Sequence, residues 1–172
     1  MTKQELTTTF YSNHLALMNY VSALPDEKFI YRNEEKWTAG QQLSHTYLCL
    51  LPFLKVLPSK ASVLRFGRIN RKTWSYETVI EKYLQTDLKA PGIYLPEPVE
   101  SEQKALINAS LQQALDTIVQ LLEPYTEEEL DHFVLPHPLL GPLTVREMFY
   151  LMAYHPLHHL RQAKANLINL DR

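Results

Sequence analysis

Three of the chain's seven histidines, His155, His158 and His159, fall within residues 154–162, and their spacing is the strongest chemical signal in the sequence. Residues four apart on a helix project from the same side, one turn apart, so His155 and His159 can aim imidazole nitrogens at a point about 2 Å from each, the bond length of a bound zinc ion. They continue a stripe begun by Met148 and Met152, which turns them toward a bundle interior, and Gln162 follows on nearly the same face. A three-residue spacing also chelates, so His158 stands as an alternative to His159. Such pairs also arise by chance, and an inward histidine is ordinarily a hydrogen-bonded core residue. Spacing alone therefore leaves metal binding and core packing both open.

Two imidazoles under-coordinate a cation, and the third ligand must come from another helix. His45 is the best candidate, because it sits on the most apolar segment, where an imidazole is expensive to bury without a partner for its nitrogens. Three neutral imidazoles leave coordination positions for water or substrate, which is a catalytic type of site. Cys49, four residues after His45, can face the same space as a fourth ligand or a thiolate nucleophile, although a buried apolar cysteine is the commoner outcome. His14 can support a ligand imidazole from behind or be a satisfied core residue. His132 and His137 lie in a proline-rich stretch without a chelating partner and read as surface or turn residues. Arg65, Arg68, Arg71 and Lys72 form a basic cluster able to bind the carboxylate or phosphate of a cofactor thiol, or an ordinary solvated patch. Tyr11, Tyr94 and Tyr154 can line an access channel, though aromatics at helical spacing are normally core. No paired carboxylates, serine-centred motif or phosphate-cradling glycine loop offers a rival catalytic apparatus.

The elements that must position these residues are helical. Residues 2–24 place Phe10, His14, Leu17 and Val21 on one face, and Pro25 ends the segment. Residues 38–57 are apolar nearly all round after His45, as expected of a central helix, with a kink expected at Pro52. Residues 101–125 run Leu111, Leu115, Ile118 and Leu122 down one side, with Gln112, Gln113, Asp116 and Gln120 elsewhere. Residues 144–170 open with Thr144 and Glu147 in capping-box spacing, and Pro156 predicts a local bend between the paired histidines. A shorter helix is expected over residues 75–85 within a long interval between the second and third helices, and intervals of this length are usually functional. No strand pair, repeat or low-complexity tract is evident. The predicted fold is all-α, a four-helix bundle with one long crossover between helices 2 and 3.

With 172 residues, 45% apolar and 21% charged, the chain suits a single domain spanning residues 1–172. A net charge of −2 argues against nucleic acid as a partner. The longest apolar stretch, residues 47–57, is broken by Pro52 and Lys55 and is too short to span a bilayer. One cysteine excludes an intrachain disulfide, and the first residues lack a signal-peptide pattern, so the cytoplasm is the expected location.

Three motifs resemble the DinB-like, or YfiT-like, metal-binding superfamily, and the resemblance covers most of the chain. Residues 37–45, WTAGQQLSH, look like its tryptophan-led second helix with the ligand His45. Residues 137–148, HPLLGPLTVREM, look like its approach to the last helix, and residues 155–159, HPLHH, like its closing pair. The resemblance implies a four-helix bundle, often a homodimer, in which His45, His155 and His159 hold a divalent zinc, nickel or iron ion. Members include bacillithiol- or mycothiol-dependent transferases, a glutathione-linked isomerase and proteins without known activity. The expected function is thus that of a metal-dependent enzyme acting on a small molecule, a thiol-cofactor S-transferase or a hydrolase, and the alternative is a non-catalytic metal-stabilised bundle with a binding or stress-related role.

Overall fold

In the computed structural model, which describes residues 1–86, 91–168 and 170, the four expected long segments are all helical. They are α1 (Lys3–Ser22), α3 (Ala39–Val56), α6 (Lys104–Leu122) and α8 (Val145–Leu167). Between them lie α2 (Asp26–Ile30), α4 (Lys60–Leu64), α5 (Tyr76–Leu84) and α7 (Glu127–His132). The last helix stops at Leu167, short of the expected residue 170. Residues 101–103 form a 3₁₀ turn before α6, not its first α-helical turn. Among the described residues, no helix is long and apolar enough to cross a membrane.

Side-chain chemistry sets the helix starts. Thr2, Thr38, Thr126 and Thr144 each accept a backbone N–H from the residue three ahead, and Glu5, Gln41, Glu129 and Glu147 return the bond to the cap residue's own N–H. Four capping boxes therefore satisfy donors that a helix cannot satisfy internally. The stripes read from the sequence are the buried ones: Phe10, His14, Leu17 and Val21 on α1, and Leu111, Leu115, Ile118 and Leu122 on α6. The bundle packs α1 against α8 and α6, and α3 against α6 and α8. Helices α3 and α8 continue through Pro52 and Pro156.

The expectation of no strand pair is overturned by a short hairpin, β1 (Val134–His137) antiparallel to β2 (Gly141–Thr144), leading directly into α8. Its strands carry two prolines and its turn is rich in Pro and Leu, so neither length nor composition shows the usual strand signal. Gly141, at φ +72°, supplies the left-handed residue the return requires.

The crossover is fastened to the bundle at Glu147, which is completely buried. Arg71 donates two bonds to its carboxylate, at 2.5 and 2.8 Å, and Trp74 donates its backbone N–H at 2.7 Å. Burial raises the Glu147 pKa, yet these donors outweigh it and hold the carboxyl below its ordinary range. The same carboxylate closes the α8 capping box, so one residue starts the last helix and anchors the segment that runs to α5, which itself packs on α8.

At the start of α3, Gly40 meets the Phe29 ring: a Cβ there would lie 2.7 Å from two ring carbons. Because Phe29 is fully buried, the ring has little room to move. Gly40→Ala should therefore lower stability by about 1–2 kcal/mol despite alanine's better helix propensity, as read by urea denaturation. His14 supplies a pH test. Its Nδ1 donates to the Phe10 carbonyl at 2.7 Å, and full burial pushes its pKa from 6.5 down to about 4. An imidazole with a depressed folded pKa contributes its stability in full above the unfolded value and loses it as pH falls from there toward the folded value. The urea midpoint should thus fall as pH drops from 6.5 toward 4, and fall less steeply in His14→Leu.

Candidate metal centre

Helix α8 brings Met148, Met152, His155 and His159 into the interior at spacings of four, three and four, and all four are buried. His45 projects from the facing helix α3 and is also buried. The three histidines meet: one ligand nitrogen of each lies within 4.8 Å of the others, and they form the one such cluster of three or more potential ligands among the described residues. His155 Nε2 lies 3.3 Å from His45 Nε2 and 2.9 Å from His159 Nε2. Nitrogens bonded to one ion at about 2.0–2.1 Å stand about 2.9–3.4 Å apart for bond angles between octahedral and tetrahedral, so the two separations match a shared ion.

Hydrogen bonds behind the rings decide which nitrogen each presents. His45 Nδ1 donates to the Tyr94 carbonyl at 2.6 Å, and His159 Nδ1 donates to the Gln42 side-chain oxygen at 2.5 Å. With their protons on Nδ1, both rings turn a bare Nε2 lone pair inward. His155 can carry one proton on its own Nε2 and so satisfy one of those lone pairs. At least one remains aimed at the others without a donor, an arrangement that is costly in a buried site and that a cation resolves. Adding protons instead is disfavoured. Burial pushes all three pKa values down, with further mutual repulsion between His155 and its partners and between His159 and its partners, so the rings stay neutral and ligand-competent. Trp37 closes one side, its ring stacked at 16° and 6.2 Å over His159 and at 4.9 Å from His45.

The other side opens on a cavity of about 560 Å³, lined by His45, His155 and Cys49 among others. Cys49 Sγ lies 3.5 Å from His45 Nε2, and burial raises its pKa to about 12, so it is a thiol here.

The remaining sequence candidates divide. His158 stays outside the cluster, partly buried, accepting from Gln162 at 3.0 Å, and Gln162 itself is exposed rather than continuing the inward face. His14 is a satisfied core residue. His132 is the last residue of α7, not a turn residue, and donates to the Glu128 carbonyl one helical turn back. His137 ends β1 beside the turn, not in it, and lines the cavity, which its sequence position did not suggest. Of the basic cluster, Arg71 is spent on Glu147 and stacks 3.7 Å over Trp74, Arg68 covers Phe133, and none of the four lines the cavity. Tyr94 lines it, whereas Tyr11 is bonded to Asp116 and Tyr154 accepts from Arg161. Sequence reading missed Gln42 and Tyr83. Gln42 had a signal, being a polar residue three before His45 on the same helix face. Tyr83 lies on α5, far from any motif.

The family sequence model described as the DinB superfamily matches residues 10–163, and the chain belongs to that superfamily. No curated protein and no solved structure matches it.

Gln42→Ala should weaken binding of zinc to the purified chain by about 10–100-fold by freeing the His159 ring. His45→Ala should lose it almost entirely. Competition against a chromophoric chelator measures both, and unchanged affinity in Gln42→Ala would sink the role assigned to that hydrogen bond.

Proposed function

We propose that this DinB-superfamily protein is a metal-dependent enzyme in which His45, His155 and His159 hold a divalent ion beside a cavity that receives a small-molecule substrate. The observation that carries this reading is the convergence of three buried, neutral Nε2 atoms, two of them on residues, His45 and His155, that line an accessible cavity. A divalent cation there, zinc, nickel or iron, supplies Lewis acidity toward an oxygen or sulfur donor entering from the cavity.

The chain's own residues supply binding and exclusion. The Tyr94 and Gln42 oxygens fix the two imidazoles in the metal-binding tautomer, Trp37 seals the far side, and Met148, Leu151 and Met152 give the cavity an apolar floor. None of these groups is a ready nucleophile. The nearest candidate, Cys49, is held protonated by burial. The attacking group therefore comes with the reactants, which suits transfer of a low-molecular-weight thiol to an electrophile, with hydrolysis by water as the other reaction open to the same site.

One observation favours a second reading. Cys49 Sγ, 3.5 Å from His45 Nε2, stands where it could complete the coordination, and a closed site would make the ion structural and the protein a metal-stabilised bundle. Elemental analysis of protein purified without chelator and offered zinc, nickel and iron, with melts of wild type, His45→Ala and Cys49→Ala, separates the readings. The enzyme reading expects about one ion per chain, loss of metal in His45→Ala with a small drop in melting temperature, and little change in Cys49→Ala. A chain that takes up none of the three metals defeats both readings, and metal loss in Cys49→Ala with a collapsed melting temperature favours the structural one.

A further inference from the structure

The cavity has a second chemical character, set by donors away from the three imidazoles. His137 Nδ1 accepts the backbone N–H groups of Leu139 at 3.2 Å and Leu140 at 3.1 Å. A ring nitrogen that accepts carries no proton, so the proton of the neutral ring sits on Nε2. Burial keeps the ring neutral, its pKa pushed down to about 4. The hairpin turn thus presents an oriented N–H donor. Among the described residues that Nε2 meets no protein acceptor, and the one sealed side-chain N or O atom lacking a partner is Asn108 Oδ1. His137 Nε2 is therefore accessible, on a residue that lines the cavity.

Two phenols add to it. Tyr83 and Tyr94 line the same space, and by the same reasoning their hydroxyls are accessible. The Tyr83 ring lies 6.5 Å from that of His155 and the Tyr94 carbonyl accepts from His45, which places both residues near the inner part of the cavity. Among the described residues lining the cavity there is no Asp or Glu, and the one formal charge is the cation of Lys55, an exposed residue. An oxygen acceptor entering from water exchanges its hydration for oriented donors. An ammonium group finds no carboxylate counter-charge among the described lining residues to offset its desolvation.

We infer that the cavity selects a small molecule with an apolar body and an anionic oxygen acceptor, a monocarboxylate being the simplest, with His137 Nε2–H and the Tyr83 hydroxyl as the selecting donors. This names the substrate class of the site proposed above and rests on that reading of the cavity as substrate space, but the selectivity belongs to the protein and not to the ion. The volume of about 560 Å³ suits such a molecule, since small-ligand clefts run roughly 300–1,000 Å³.

Calorimetric titration of chelator-stripped and zinc-loaded protein with octanoate and with octylamine, at about pH 7.5 where the two carry opposite charges, tests this. Octanoate is expected to bind both forms at least about tenfold more tightly than octylamine, the scale of one hydrogen bond to a charged group. Tyr83→Phe, which removes a single hydroxyl, should weaken octanoate about fivefold or more with an unchanged melting temperature. His137→Gln should do the same, and if loss of its two turn bonds unfolds the hairpin, Tyr83→Phe decides alone. Octylamine binding as tightly as octanoate, octanoate binding to the zinc-loaded form only, no octanoate binding at all, or wild-type affinity in Tyr83→Phe would each overturn the inference. Octanoate binding by a chain that takes up none of zinc, nickel or iron when offered them would instead defeat the metal-dependent reading and leave the selectivity standing.

Discussion

The site depends on two hydrogen bonds that point away from it. His45 gives its Nδ1 proton to the Tyr94 carbonyl and His159 gives its own to Gln42, and these bonds leave two lone pairs facing His155 in the bundle interior. Buried acceptors turned on one another are ordinarily selected against, because each has given up water for nothing. Here every surrounding element enforces the arrangement. Burial keeps the rings from gaining protons, Trp37 stacks over them, and the packing of α3 on α8 fixes the distance between them. Such a cluster is better explained as a site awaiting a cation than as a core.

One of those two bonds comes from the crossover, which makes that segment part of the site. The Tyr94 carbonyl belongs to a 3₁₀ turn of residues 92–94, and the Pro96 carbonyl nearby accepts from Gln41 of α3. At its other end the crossover is pinned by Arg71 and Trp74 to Glu147, the capping residue of α8. Breaking such a buried pair by removing one partner costs about 3–5 kcal/mol, and Glu147 would retain only its backbone donors. The crossover thus links α3 and α8, the two helices that carry the histidines, and places Tyr83 in the cavity between its two anchors.

The hairpin plays a comparable part from the other side. Its turn absorbs one edge of the His137 ring, and His137 lines the cavity, so an element of eight strand residues both leads into α8 and contributes to the cavity wall. A motif that looks purely connective in sequence is in this way part of the binding surface.

How much of this the sequence determined follows from the range of the interactions involved. Helical periodicity is local, so the buried stripes of α1 and α6, the capping box at Thr144 and Glu147, and the shared face of His155 and His159 could all be read from neighbours within one or two turns. His45 carried a weaker signal, an imidazole on an apolar helix, which the family motifs strengthened. What required the tertiary structure was every contact across chain separations of tens to more than a hundred residues: the Tyr94 carbonyl behind His45, Gln42 behind His159, Arg71 on Glu147, and Tyr83 and His137 in one cavity wall. The hairpin escaped detection because its prolines hide the strand pattern, and Gln162, nearly on the face of His155, is exposed because what that face meets is set by packing between helices. Spacing along a helix states which side chains share a direction, but only packing between helices states what they meet, and in this protein that meeting turns three ordinary histidines into a candidate metal centre.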